Sequence, residues 1–284
     1  VREVSDPFHI TGPAIISVSG GRTSGYMLWR ILQAHGGALP PDVHAVFANT
    51  GREMPATLDF VRDMIAAWNV PITWLEYGRD VAGRVAFKVV SHNSASRDGE
   101  PFAALLHGKQ YLPSPVQRSC TQEMKIRTIK RWCVARGWKH WLNVVGLRAD
   151  EMHRVERTKK PSRDRWTVAT PLADAGVRTG EVMEFWRSQS FDLMLAGKWE
   201  GNCDGCFLKS RASTMRMIAD HPERMKWWAD MEAVHRGHKA NARRFRKDRE
   251  TYAELAQLVR NTPRLPFDEG LVEGLDGCAG GCGT

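Results

Sequence analysis

The sequence predicts an α/β fold: a doubly wound, mostly parallel sheet, followed by a basic helical C-terminal region. Short β-rich apolar segments recur at residues 14–19 (AIISVS), 43–48 (VHAVFA) and 72–76 (ITWLE). Between them lie two segments with apolar residues at helical spacing, Met27, Leu28, Ile31 and Leu32 in the first and Leu58, Val61, Met64, Ile65 and Trp68 in the second. Three strands and two helices within about 65 residues is the rhythm of βαβαβ winding, whose strands are buried on both faces. Ligands of such sheets sit beyond the carboxyl ends of the strands.

Gly20-Gly21 separates the first strand from its helix, and Gly36-Gly37 ends that helix. Pro55 suits a first helical position, and Pro71 opens the third strand. Residues 80–116 lose the rhythm, with polar and proline-punctuated stretches (SHNSASRDGE, YLPSPV), and are expected to be a loop that covers a site. TQEMKIRTIKRWCVARG from Thr121 reads as a helix, LNVVG as a fourth strand, and residues 182–189 as part of another helix. The expected organisation is a nucleotide-binding α/β domain over 1–206, a basic helical extension over 207–260 and a flexible, cysteine-containing tail over 261–284.

At 284 residues, 42% hydrophobic and 26% charged, the chain can bury a real core, which excludes disorder, collagen and small disulfide scaffolds. No apolar run approaches the roughly 18 residues of a membrane span, and the opening VREVSDPFHITGP lacks the apolar stretch of a signal peptide, so a cytoplasmic protein without a membrane partner is expected. The formal charge of +9 and pI near 9.4 favour polyanionic partners. Six cysteines are too few for a disulfide framework, so their spacing decides their role.

SVSGGRTSGYML places glycines and hydroxyls where a strand meets a helix start, and unpaired N–H groups and the helix dipole there favour an anion. It is neither a Walker A loop, lacking the lysine, nor a G-x-G-x-x-G fingerprint. Ser19-Gly20-Gly21-Arg22-Thr23-Ser24 resembles the S-G-G-x-D-S pyrophosphate (PP) loop of N-type ATP pyrophosphatases. Asn49-Thr50-Gly51 looks like the matching segment of the phosphoadenylyl sulfate (PAPS) reductase branch of these adenine nucleotide alpha hydrolase-like proteins. Arg118-Ser-Cys120 with Lys125-Ile126, then Gly146-Leu-Arg148-Ala-Asp-Glu151 with Arg154, resembles that branch's substrate-gripping segments, so the resemblance covers about residues 14–215. It implies that Ser17, Ser19, Gly20, Gly21, Arg22, Thr23 and Ser24 hold the phosphates of ATP or phosphoadenylyl sulfate. Asn49, Thr50, Gly51, Lys125 and Gly146 would border the nucleotide, and Arg148 and Arg154 clamp the anionic end in catalysis. Guanidinium forks suit that task. Thr23 departs from the pattern: where the PP-loop carries an aspartate that helps to organise magnesium, only a hydroxyl stands.

Cys203-Asp-Gly-Cys206 is a C-x-x-C within glycines that permit a tight turn, a spacing that zinc ligation and a redox pair both use. Cys120 follows Arg118 at an expected helix start, which favours the thiolate. The set resembles the iron-sulfur adenylyl sulfate reductases, in which a Cys-Cys pair and a distant C-x-x-C ligate a 4Fe-4S cluster. By that resemblance Cys120, Cys203 and Cys206 are metal ligands, with the fourth position taken by Cys278 or Cys282 or left open as in related tRNA thiolases; zinc is the alternative. Cys278 and Cys282 would also serve as the mobile nucleophile that PAPS reductases carry near the C-terminus, with a thiol or thioredoxin-like reductant as partner. Cys133, following Trp132, reads as a buried small hydrophobe.

Seven Lys or Arg stand between Arg236 and Arg249 against one acid, Asp248, and a second basic run spans Arg154 to Arg165. Such runs are a solvated face or a track for nucleic-acid phosphates. Of the eleven tryptophans, Trp29, Trp68, Trp132, Trp186, Trp227 and Trp228 fall on helical segments and are expected in the core. The expected activity is reduction of (phospho)adenylyl sulfate or ATP-dependent sulfur transfer. The alternative is a catalytically inactive nucleic-acid-binding or regulatory protein that keeps the nucleotide fold.

Overall fold

In a computed structural model, which describes residues 6–160, 162–235 and 244–262, the first apolar segment is a strand, β1 (Ala14–Val18), covered on both faces. Its side chains alternate, as strand geometry requires. Ala14, Ile16 and Val18 enter one helical layer's core, and Ile15 enters the other. The same alternation continues in β2 (Val43–Asn49), where Ala45 and Phe47 oppose Val46, and in β3 (Ile72–Arg79), where Trp74 opposes Leu75. With β4 (Val85–Val90), β5 (Trp141–Val145) and β6 (Trp166–Ala169) they form a six-stranded sheet in the order β4-β3-β2-β1-β5-β6. All neighbours are parallel except β3 and β4. The register Ala14↔Val43 and Ala14↔Leu142 brings the carboxyl ends of β1, β2 and β5 to one edge.

The helices in chain order are α1 (Arg22–Ala34), α2 (Pro55–Trp68), α3 (Glu100–Lys109), α4 (Arg127–Ala135), α5 (Met152–Thr158), the four-residue α6 (Pro171–Asp174), α7 (Thr179–Arg187), α8 (Arg211–Asp220), α9 (Pro222–Val234) and α10 (Tyr252–Asn261). Helices α1, α2 and α7 cover one face of the sheet through Met27, Ile31, Leu58, Val61 and Trp186; α4 covers the other through Trp132 and Cys133. The fold is therefore the doubly wound α/β architecture that the sequence predicts. The Trp186 indole donates to the Arg22 carbonyl at 2.8 Å, which fixes α7 against the start of α1. Of the six tryptophans expected in the core, Trp132, Trp186 and Trp228 are buried, while Trp29, Trp68 and Trp227 are half-buried and pack against its edge.

Two expectations need correction. Residues 80–116 are not a continuous loop. They contain β4, paired antiparallel to β3, and α3, whose Phe102, Leu105 and Leu106 pack with Met215, Trp228 and Tyr252 of the C-terminal helices. The sequence conceals β4 because an edge strand half in water shows a weak alternation, and it conceals α3 because Pro101, harmless in a first turn, reads as a breaker. The helix expected from Thr121 also changes character, since Cys120–Ile126 is a π-helix leading into α4. Wide turns of this kind gather at functional sites. Strand β6 and helix α5 have no counterpart in the sequence reading.

Among the described residues no helix is long and apolar enough to cross a membrane. Cys133 is fully buried, and burial pushes its thiol up to about 12. In native protein at about pH 8, iodoacetamide is therefore expected to leave Cys133 unlabelled until denaturant is added, because the thiolate is the reactive form. Peptide mass spectrometry reads this directly, and native labelling at Cys133 would contradict its packing.

Candidate functional site

The chain leaves β1 toward β2 on one side and reaches β5 on the other, so a crevice opens between their carboxyl ends, as at the switch point of any doubly wound sheet. A cavity of about 400 Å³ occupies this crevice, a size suited to a small-molecule ligand. Ser17, Ser19, Gly21, Arg22, Thr23, Ser24, Gly146, Arg148 and Arg154 all line it. Residues separated by more than 120 positions thus converge on it, whereas Cys120, Cys203 and Cys206 are not among its lining residues.

The floor is the β1–α1 turn. Gly20 takes φ +78°, and a Cβ there would lie 2.5 Å from Thr57 Cγ2, so the turn can pass over α2 only without a side chain. Ser24 staples the loop: its hydroxyl donates to the Gly21 carbonyl at 2.9 Å, accepts the Ser19 N–H at 3.0 Å and lies 3.0 Å from the Ser19 hydroxyl. No side chain caps the start of α1 at Gly21, which leaves its first N–H groups for an anion. A Cβ on Gly146 would stand 3.2 Å from Ser24 Cα, a close approach that brings the exit of β5 against that first turn. Arg22 turns elsewhere. Its guanidinium makes a bidentate pair with Asp192 at 2.7 and 2.9 Å and donates to the Leu193 carbonyl, pinning the segment that forms the far wall.

Arg148 reaches across the crevice. Its Nη1 donates to the Thr23 hydroxyl at 2.9 Å, and its Nε donates to Asp150 Oδ1 at 2.9 Å. Arg154 is paired with Glu151 Oε1, and Glu151 Oε2 accepts the Arg148 N–H at 3.2 Å. Glu200, the other lining carboxylate, is held by His221 at 2.6 Å and by the Ala196 N–H at 2.7 Å. Arg22, Arg148, Arg154 and Lys198 against Glu151 and Glu200 give the lining a positive balance. Arg148 therefore contacts the loop residue Thr23, whereas Arg154 is tied to Glu151.

Asn49, Thr50 and Gly51 lie elsewhere. All three are buried, and the Asn49 amide donates to Glu76 at 2.6 Å and to the Ser96 carbonyl at 2.9 Å, while its oxygen accepts the Gly51 N–H at 3.0 Å. They shape the chain leading to Glu53 and do not line the large cavity. Lys125 lines a smaller cavity of about 50 Å³ that shares Ser17 and Ser19 with the first.

The C-x-x-C turn meets the loop through residues that the sequence reading passed over. Met54 N–H donates to the Asn202 carbonyl at 2.7 Å and Asp204 N–H to the Arg52 carbonyl at 2.9 Å, so residues 202–204 pair with 52–54. The Asn202 amide then donates to the Ser19 carbonyl at 2.8 Å. Cys203 Sγ lies 3.8 Å from Glu53 Oε1, to which Lys125 Nζ is equally near. Burial pushes the Glu53 carboxyl above the usual range, against the pull of Lys125. Asp204 is buried and binds Arg52, Arg224 (3.0 Å) and the Trp228 indole (2.8 Å). Cys206 is half-buried near Arg249, and Cys120 is half-buried at the head of the π-helix. Asn202 and Glu53 had no sequence signal beyond adjacency to Cys203 and to Asn49-Thr50-Gly51.

Among the described residues no three Cys, His, Asp or Glu side chains are grouped to hold a metal ion. Cys278 and Cys282 lie outside the described residues, as does most of the Arg236–Arg249 run. Of that run's described members, Arg246 pairs with Asp248, and Arg249 donates to the Lys209 and Phe207 carbonyls at 2.8 and 3.2 Å, bracing the turn after Cys206.

No protein-family model matches the chain. It is 29% identical over 204 residues to the uncharacterized nin region protein ORF290 of Escherichia phage lambda, a match covering 69% of this chain and 66% of that protein, so the chain spans just under two thirds of the relative's length. A crystal structure of PAPS reductase from Candida auris, in a phosphate complex, aligns with 62% of this chain and 71% of its own at 16% identity and a TM-score of 0.37. The chain is an α/β protein with a six-stranded, mostly parallel sheet and a positively balanced cavity at its switch point.

Proposed function

We propose that the chain is an enzyme of the PAPS reductase type, binding an adenine nucleotide in the crevice between β1 and β5 and handling sulfur with thiols beside it. The observation that carries this reading is the hydrogen bond from Asn202 to the Ser19 carbonyl, which joins the C-x-x-C turn to the PP-like loop. The uncapped start of α1 and the positive lining supply the anion site. Two chemistries fit. In reduction, a thiolate forms an S–S bond to the sulfur of phosphoadenylyl sulfate as the S–O bond to the nucleotide breaks. A second thiol then releases sulfite, leaving a disulfide for a thiol or thioredoxin-like reductant. In transfer, ATP adenylates an acceptor oxygen with loss of pyrophosphate, and a sulfur nucleophile displaces AMP; a nucleic-acid acceptor would suit the basic chain.

Anaerobic incubation with ATP, and separately with phosphoadenylyl sulfate, distinguishes them by AMP plus pyrophosphate against sulfite. Gly21→Asp is the control variant. A Cβ at Gly21 meets only ordinary contacts and aspartate favours a helix N-cap, so the fold should persist while the carboxylate repels phosphate. Affinity is expected to fall by about 10- to 100-fold. Salt-sensitive RNA or DNA binding indifferent to Gly21→Asp, without nucleotide turnover, would favour the inactive nucleic-acid-binding alternative.

A 4Fe-4S or zinc centre on Cys120, Cys203 and Cys206 is a separate proposal, because the described side chains do not gather a complete ligand set. Iron, sulfide and zinc analysis of anaerobically purified protein and of single cysteine variants decides it. Stoichiometric metal lost on mutation supports the centre, and metal-free protein overturns it.

A further inference from the structure

The resemblance to PP-loop proteins brings with it magnesium, held with the help of a loop carboxylate, and the residues around this crevice do not fit that ion. The position of the carboxylate is Thr23, whose hydroxyl accepts from Arg148 Nη1 at 2.9 Å. Each carboxylate lining the cavity already has both oxygens engaged. Glu151 is held by Arg154 and by the Arg148 N–H, and Glu200 by His221 and the Ala196 N–H. Asp150, just outside, is divided between Arg148 Nε and Thr179. A hard divalent cation shared with phosphates still needs one or two available carboxylates. What the crevice offers at that place is a guanidinium: Arg148 Nη2 makes no hydrogen bond to a described residue, and Lys198 adds a second cation to the wall.

Resting on the adenine-nucleotide reading above, we infer that this site binds its nucleotide without magnesium, with Arg148, seated on the Thr23 hydroxyl, supplying the countercharge at the phosphates. Arg148 is already paired with Asp150 at 2.9 Å and lies 3.5 Å from Glu151, so an aspartate at position 23 would add a third carboxylate around the guanidinium and draw it away from the phosphates. A planar donor fork also satisfies phosphate oxygens directionally, which a hydroxyl alone cannot.

The test is titration of the full chain with ATP by calorimetry, once in excess EDTA and once in excess magnesium, repeated with Thr23→Asp. Wild-type affinity is expected to stay within about twofold between the two buffers, or to weaken in magnesium as the ion shields the phosphates from Arg148. Thr23→Asp should lose about tenfold in EDTA and regain part of it in magnesium, because the new carboxylate neutralises Arg148 and offers the ion a ligand. Circular dichroism on the variant checks the fold, and the wild-type comparison needs no variant. Wild-type binding at least about tenfold tighter with magnesium would overturn the inference while leaving the nucleotide site intact. No binding of ATP or, in a parallel titration, of phosphoadenylyl sulfate in either buffer would overturn the nucleotide reading and this inference with it.

Discussion

Asp204→Ala is expected to lower the free energy of unfolding by about 3–5 kcal/mol, the cost of breaking a buried ion pair from one side. Asp204 is wholly buried inside the C-x-x-C turn, and both of its oxygens are used. Oδ2 faces Arg52 and Arg224, while Oδ1 accepts the Trp228 indole at 2.8 Å and the Gly205 N–H at 2.6 Å. The Arg52 side chain is 4% exposed and lies 5.0 Å from the Trp227 ring centroid, so it cannot recover hydration once its partner is gone. The loss should also loosen the pairing of residues 52–54 with 202–204. Urea unfolding followed by tryptophan fluorescence reads the first effect, since Trp227 and Trp228 border the site. A loss below about 1 kcal/mol would mean that the two guanidinium groups find other partners, as exposed ion pairs do.

Gly20→Ala is expected to cost about 2–4 kcal/mol, combining a left-handed backbone with an added methyl in a filled space. The two parts are separable. At Gly20 the new Cβ would stand 2.5 Å from Thr57 Cγ2 and 3.3 Å from Phe47, and Thr57→Ser removes the nearer atom. Relative to Thr57→Ser alone, Gly20→Ala should then cost only the backbone share, about 1–2 kcal/mol. Nucleotide affinity should fall in Gly20→Ala even where the protein stays folded, because the same turn aims the first N–H groups of α1 into the crevice. Chemical unfolding together with calorimetric titration of both single variants and the double variant measures each share. Equal costs in the two backgrounds would show that the Thr57 contact is relieved by a small shift of the chain.

Much of the sheet was legible because buried parallel strands carry their own signature. AIISVS, VHAVFA and ITWLE are mostly apolar and separated by helical spacings, and they became β1, β2 and β3. The tight turn between β1 and α1 was legible for a related reason: only glycine tolerates what Gly20 is asked to do, and the sequence shows it. The placement of Asn49-Thr50-Gly51 was not legible, since a polar tripeptide after a strand reads the same whether it faces a ligand or is consumed by Glu76, Ser96 and Glu53. Arg22 illustrates the same ambiguity, because a guanidinium in an anion loop can be a grip or a strut, and its choice rests on Asp192, some 170 positions away. Strand β6 is four residues at an edge with little burial, too short for its periodicity to register. Asp204 looked like a turn residue because the pattern C-x-x-C draws the eye to the sulfurs; its two arginine partners are assembled only by the tertiary fold.

The pairing of residues 202–204 with 52–54, closed by Asn202 on Ser19, has a consequence for how the crevice and the sulfurs communicate. One amide group links the residue before Cys203 to the β1–α1 turn. By thermodynamic reciprocity, whatever factor an anion in the turn imposes on the ionisation or oxidation of Cys203, that chemical change imposes on the anion's affinity.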